Sequence, residues 1–319
     1  MFDDWPMPLI LDCPVFAMLH AHGCWPPRQY RPQHVDEVTF ERCYPWCLEV
    51  PEIVERHHAA NAINGAHLLR TVTHCTASIC FEDPDSQELM LEDQRVAVQV
   101  ARRAASQSAG PVAVVGVIGP ISPESLGTID ETPEGPLDET TPLPDEQAIE
   151  RCYQISRSMA GELVREGVDF LYFDDIYSVR AMQIVSAVAQ DTRASHSRKI
   201  PMIACVRTFS GRLLTAAPLA KMAEMLHQDD STVLGISSHN DWSIACETLQ
   251  QLSGPWRGKK LLSMFPGDPD FFPPLSRNSP EELAEAYRSV VEYNLADVVG
   301  GGRGTTLEDT LALSRMFHT

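Results

Sequence analysis

Positive charge is scarce, no long hydrophobic run occurs, and the cysteines form no repeating pairs. Lys and Arg number 25 against 44 Asp and Glu, a formal net charge of −19. A surface this acidic repels phosphate backbones and anionic headgroups, so nucleic acid and membrane surfaces are poor partners. No apolar stretch reaches the ~18 residues of a spanning helix. The opening Met1-Phe2-Asp3-Asp4-Trp5 is acidic where a secretory leader is basic, so a cytoplasmic protein is expected. Nine cysteines, odd in number and scattered over 319 residues, read as reduced thiols. The nearest thing to a metal knuckle, Cys43-Tyr44-Pro45-Trp46-Cys47, is spaced one residue too wide for the common pair, and no second pair follows.

What is present is ordinary globular composition, 44% hydrophobic and 22% charged, with a strong alternation of elements. Short apolar runs at Leu9–Asp12, Ala66–Thr73, Val112–Gly119, Phe170–Asp174, Met202–Val206, Val233–Ser237, Leu261–Phe265 and Ala296–Val299 predict strands covered on both faces. Helical periodicity predicts helices at Pro51–Asn64, Gln87–Ser106, Asp145–Glu166, Val179–Ala189, Leu213–His227, Trp242–Leu252, Pro280–Asn294 and Thr306–Phe317. Ser279-Pro280-Glu281-Glu282 carries the hydroxyl, proline and glutamate of a capping box. Eight strands alternating with eight helices predict an α/β fold, a (β/α)8 TIM barrel over residues 1–319 as a single domain, with a doubly wound sheet as the rival. Insertions near 24–47 and 122–144 follow the first and third strands, on the face where barrels build their sites.

The residues that close each strand then define the rim. They include Asp12 and Cys13, His74 and Cys75, Asp174 and Asp175, Arg207, Ser238 and His239, and the run Gly300-Gly301-Gly302-Arg303-Gly304-Thr305-Thr306. Glycines before a helix allow close backbone approach, and the amides there attract an anion. His57 and His58 read as surface and core packing, and Cys75 as a candidate nucleophile beside His74.

Several of these runs carry a family likeness. Leu9-Ile10-Leu11-Asp12, Pro51-Glu52-Ile53-Val54 with His58, Thr71-Val72-Thr73, Gly116-Val117-Ile118-Gly119-Pro120, Gly167-Val168-Asp169 leading to Phe173-Asp174, and Gly300 to Thr306 fall in order along nearly the whole chain. Together they resemble the homocysteine S-methyltransferase family, zinc-dependent (β/α)8 barrels that move a methyl group from a sulfonium, betaine or folate donor to a thiol. In that family three thiolates hold zinc, and the corresponding positions here are Ser238, Gly302 and Arg303. A hydroxyl, a bare Cα and a guanidinium do not replace soft anionic ligands. Val72 stands where the family's Thr-Asn-Thr has Asn, and Cys13 where it has Gly.

The resemblance with these departures implies methyl or alkyl transfer involving a small amino-acid-like substrate, without the zinc–thiolate site and with a sulfonium compound as the candidate donor. Asp174, Asp175 and His239 are the expected catalytic groups. Asp12, His74, Arg207, Ser238, Gly301, Gly302 and Arg303 are the expected substrate-binding groups, with Arg303 as the anion anchor. Two alternatives stand beside it. One is different barrel chemistry on a His/Asp site holding Fe or Mn; the other is a non-catalytic relative acting as a binding or regulatory partner. The expected partner is a small molecule, and nothing in the sequence sets an oligomeric state.

Overall fold

Alternation within each apolar run dictates where its side chains go. In β1 (Leu9–Leu11), Leu9 and Leu11 face one way and Ile10 the other, and both faces are buried. Repeated in β2 (Leu68–Arg70), β3 (Ala113–Ile118), β4 (Phe170–Ile176), β5 (Met202–Arg207), β6 (Thr232–Ser238), β7 (Lys259–Met264) and β8 (Val298–Gly300), this needs an inner and an outer apolar layer. The computed structural model supplies both: eight parallel strands close in sequence order, β1 pairing with β2 and with β8. It describes residues 5–15, 18–19, 22–24, 45–74, 76–77, 80, 84–119, 146–176, 178–196, 199–207, 216–226, 231–238, 242–266, 278–302 and 304–318.

Inside the ring, Leu11, Val115, Val117, Tyr172, Ile203 and Cys205 belong to one packed cluster. Outside, Ile10, Val114, Leu171, Ala204, Leu234 and Val299 meet the helices. Those helices are α1 (Pro51–Ile63), α2 (Gln87–Ala105), α3 (Glu146–Arg165), α4 (Val179–Ser195), α5 (Ala216–Met225), α6 (Trp242–Leu252), α7 (Pro280–Glu292) and α8 (Leu307–His318). A single further turn, Trp46–Glu49, precedes α1. The (β/α)8 barrel expected from the sequence is the fold, and the capping box forms: Ser279 Oγ accepts from the Glu282 amide at 3.2 Å, and the Glu282 carboxylate from the Ser279 amide at 2.9 Å. Among the described residues, no helix is long and apolar enough to cross a membrane.

The differences from expectation have local causes. The second strand stops at Arg70 instead of Thr73, because side chains take over beyond it. The Arg70 amide donates to Asp12 Oδ2 at 3.0 Å, Thr71 Oγ1 accepts from the Val117 amide at 2.9 Å, and Thr73 Oγ1 donates to Val117 O at 2.6 Å. β4 runs two residues past Asp174 through a bulge. His57 and His58 are both buried, neither on the surface. Most of 24–47, all of 122–144, Cys43, Cys75, His239 and Arg303 lie outside the described residues.

Candidate active site

At the C-terminal end of the barrel the eight strand ends surround a cavity of about 130 Å³, the face on which barrel enzymes assemble their chemistry. Each wall group arrives there for a local reason.

Asp12 follows β1 and is 2% exposed. Its carboxylate is gripped by Arg70 from the neighbouring strand, Nε to Oδ1 at 2.8 Å, while Nη2 of the same guanidinium donates to Gly301 O at 2.8 Å after β8. Burial opposes both charges. Burial raises the Asp12 pKa in spite of Arg70, whereas at Arg70 burial is outweighed by the nearby Asp12, with Tyr172 and Asp174, and the pKa rises; the short Nε–Oδ1 bond leads us to read the pair as ionised. The bonds use Nε and Nη2, which leaves Nη1 uncommitted on a residue that lines the cavity. His58 borders the same wall with Nδ1 3.7 Å from Asp12 Oδ2. Burial, then His57 and Arg70, lower its pKa to about 3, so it is neutral and leaves Asp12 to Arg70.

His74 is placed by what is missing from its neighbour. A Cβ on Gly119 would lie 1.4 Å from His74 O, so only glycine lets the two segments cross there. Its imidazole faces β4, where consecutive residues normally point to opposite faces. The bulge between Phe173 and Ile176 breaks that rule: Asp175 adopts φ of 53°, its amide donates to Asp174 Oδ1 at 2.9 Å, and both carboxylates reach the cavity. His74 Nε2 lies 3.4 Å from Asp174 Oδ2 and 3.3 Å from Asp175 Oδ2. Arg207, closing β5, donates from Nη1 to Asp175 Oδ2 at 2.9 Å, with its guanidinium 5.3 Å from the centre of the Phe265 ring.

The cavity thus gathers Asp12, His74, Asp174, Asp175, Arg207 and Gly301 from the expected set. Ser238 and Gly302 are not on its lining; Ser237 takes the place of the first. Arg70, Thr71, His58 and Phe265 were not anticipated. Arg70 carried a readable signal, since a charge at the end of an apolar strand must find a partner. Cys13 is no nucleophile: burial and then the Asp12 charge push its thiol up to about 12, and its amide donates to Asn61 Oδ1 at 3.0 Å.

Of the positions that the resemblance matches to the family's zinc ligands, Ser238 and Gly302 lie among the described residues, and neither carries a thiol. A Cβ at Gly302 would lie 1.7 Å from Met264 O and 2.3 Å from Met264 C, so the loop after β8 is closed down on the end of β7 where a thiolate side chain would stand. Ser238 offers a hydroxyl at the end of β6.

A closed parallel barrel with ionisable groups lining a cavity at its C-terminal mouth defines a (β/α)8 protein. The family model described as homocysteine S-methyltransferase matches residues 9–317, and the chain belongs to that family. The fold is similar to that of the homocysteine methyltransferase MmuM from Escherichia coli. Its metallated form has 17% identity, coverage of 98% of this chain and 97% of that one, and a TM-score of 0.68. Its oxidized form has 18% identity, 96% and 95% coverage and a TM-score of 0.70. Comparison with curated protein sequences gives no significant match.

Proposed function

We propose that the chain transfers a methyl or alkyl group to a small amino-acid-like acceptor held in the barrel mouth, without a zinc–thiolate centre. One observation carries this reading: a guanidinium with an uncommitted nitrogen, on Arg70, interacts electrostatically with Asp174 on the wall of one cavity. Fixed charges of both signs side by side match a zwitterion, and they are held before any ligand arrives.

In this reading Arg70 and Arg303 hold the acceptor's carboxylate. Asp174 and Asp175 are its polar anchors, and with His239 they orient the nucleophilic atom and take its proton. The donor is a sulfonium compound, which leaves as a neutral thioether when its methyl passes to the acceptor. Asp12 acts through Arg70, and Arg207 acts through Asp175. Ser238 and Gly302 shape the wall from behind. Reduced thiols and the acidic surface suit the cytoplasm.

The test is calorimetric titration with homocysteine and with analogues lacking either the amine or the carboxylate, alongside an assay for a methylated product with a sulfonium donor. Arg303→Ala should weaken carboxylate-bearing ligands by about 1.5 to 3 kcal/mol, the scale of a charged hydrogen bond, and leave the analogue without a carboxylate unchanged. Superimposable titrations of parent and variant would remove Arg303 as the anchor.

A further inference from the structure

The cavity wall opposite the closed-down loop carries a donor set of which the reading above uses only the two carboxylates, as anchors and proton acceptors, and leaves the imidazole without a role. His74 Nε2, Asp174 and Asp175 each offer one ligand atom, and these atoms lie within 4.8 Å of one another. They come from the end of β2 and the bulge in β4, across the mouth from Ser238 and Gly302 at the ends of β6 and β8.

Charge favours a cation there. Among the described residues, Arg70 bonds Asp12 and Arg207 bonds Asp175, while the Asp174 carboxylate has His74 in ion-pair range and Arg70 only as a more distant charge. A neutral imidazole would give this corner a net negative charge. The guanidinium on Asp175 Oδ2 does not close the site, because a carboxylate oxygen has two lone pairs and a bonded partner orients a ligating carboxylate. On the Asp12 wall of the same cavity, His58 is 1% exposed, and neither of its ring nitrogens makes a hydrogen bond, an unpartnered buried polar group facing the space that the site shares.

We infer that His74, Asp174 and Asp175 form a site for a divalent cation that prefers nitrogen and oxygen ligands, such as manganese, in the barrel mouth. One imidazole and two carboxylates suit such an ion and leave coordination positions open toward the cavity. A cation there polarises the acceptor's nucleophilic atom and lowers its pKa. The site rests on the proposed reaction only for that use. Its existence stands on the three side chains.

The test uses chelator-treated full-length protein titrated with Mn²⁺, read by calorimetry and by the manganese resonance signal. Asp174→Asn and His74→Ala are compared with Glu285→Gln, a change on the exposed face of α7, each first shown by its thermal transition to be folded. Expected is one Mn²⁺ per parent chain, weakened at least about tenfold by either cavity variant, since even removing an outer partner of a metal ligand costs that much, and unchanged by Glu285→Gln. A parent that takes up no stoichiometric Mn²⁺ overturns the inference, as does binding that Asp174→Asn and His74→Ala leave intact. Homocysteine binding is titrated separately. If it fails while Mn²⁺ binds, the methyl-transfer reading falls and the metal site stands; the opposite outcome sinks only the metal site.

Discussion

Arg70 and Asp12 show how much one buried pair decides. Each is costly alone in the barrel mouth, and together they fix a wall of the cavity. Arg70→Met should destabilise the fold by about 3 to 5 kcal/mol, because it strands the Asp12 charge, and adding Asp12→Asn should restore part of that in urea unfolding. Gly302→Ala carries a different penalty. The new methyl would meet Met264 O, so a loss of about 1 to 3 kcal/mol typical of overpacking is expected, read by the same unfolding measurement. At this scale the sequence was legible where a rim residue sits just past an apolar run, as Asp12, His74 and Arg207 do. Asp174 and Asp175 were both legible as strand-closing residues, but the bulge that turns two adjacent carboxylates to one face was not, because it has no signature in hydrophobic alternation.

At the scale of elements, helix boundaries were nearly all readable, since periodicity, caps and proline at the first turn are local properties. Strand ends were less so. β2 is short because the Arg70 amide bonds the Asp12 carboxylate, a partner 58 residues away in sequence. Helix α2 holds a further tertiary contact: the buried Asp93 accepts from the Leu48 amide at 3.1 Å and so anchors the turn Trp46–Glu49. Burial lifts its pKa from 3.8 to about 7, against the pull of the Leu48 and Cys47 amides. The folded state therefore holds a proton that the unfolded chain releases. Asp93 favours folding at low pH, and that contribution is lost as pH rises toward about 7. Asp93→Asn should remove this dependence, so its stability relative to the parent should rise by about 1.4 kcal/mol per pH unit across the window. Urea midpoints at a series of pH values measure it.

For the molecule as a whole, acid lability follows from two buried imidazoles, His57 and His58, and two half-buried ones, His67 and His318. Burial lowers His58 to about 3 and His67 to about 4, and it also depresses His57 and His318. Below 6.5 the unfolded chain binds protons that these folded histidines refuse, so stability falls as pH drops from 6.5 toward 4. Asp93 and Asp12, both raised by burial, work in the opposite sense, but four imidazoles outweigh them. The thermal midpoint should therefore be highest near neutrality and decline at pH 5, and a flat profile would contradict the burial of these rings. The barrel itself was legible as a count of alternating segments, whereas the closure of its mouth was not. That closure has a consequence for how the protein becomes competent. The Arg70 guanidinium on the cavity wall is steadied by Gly301, 231 residues further along, so a nascent chain has no finished pocket until its final strand docks. Completion of the ring is then a precondition for binding in the mouth, and any ligand of the finished mouth would also act as a latch on the first and last strands.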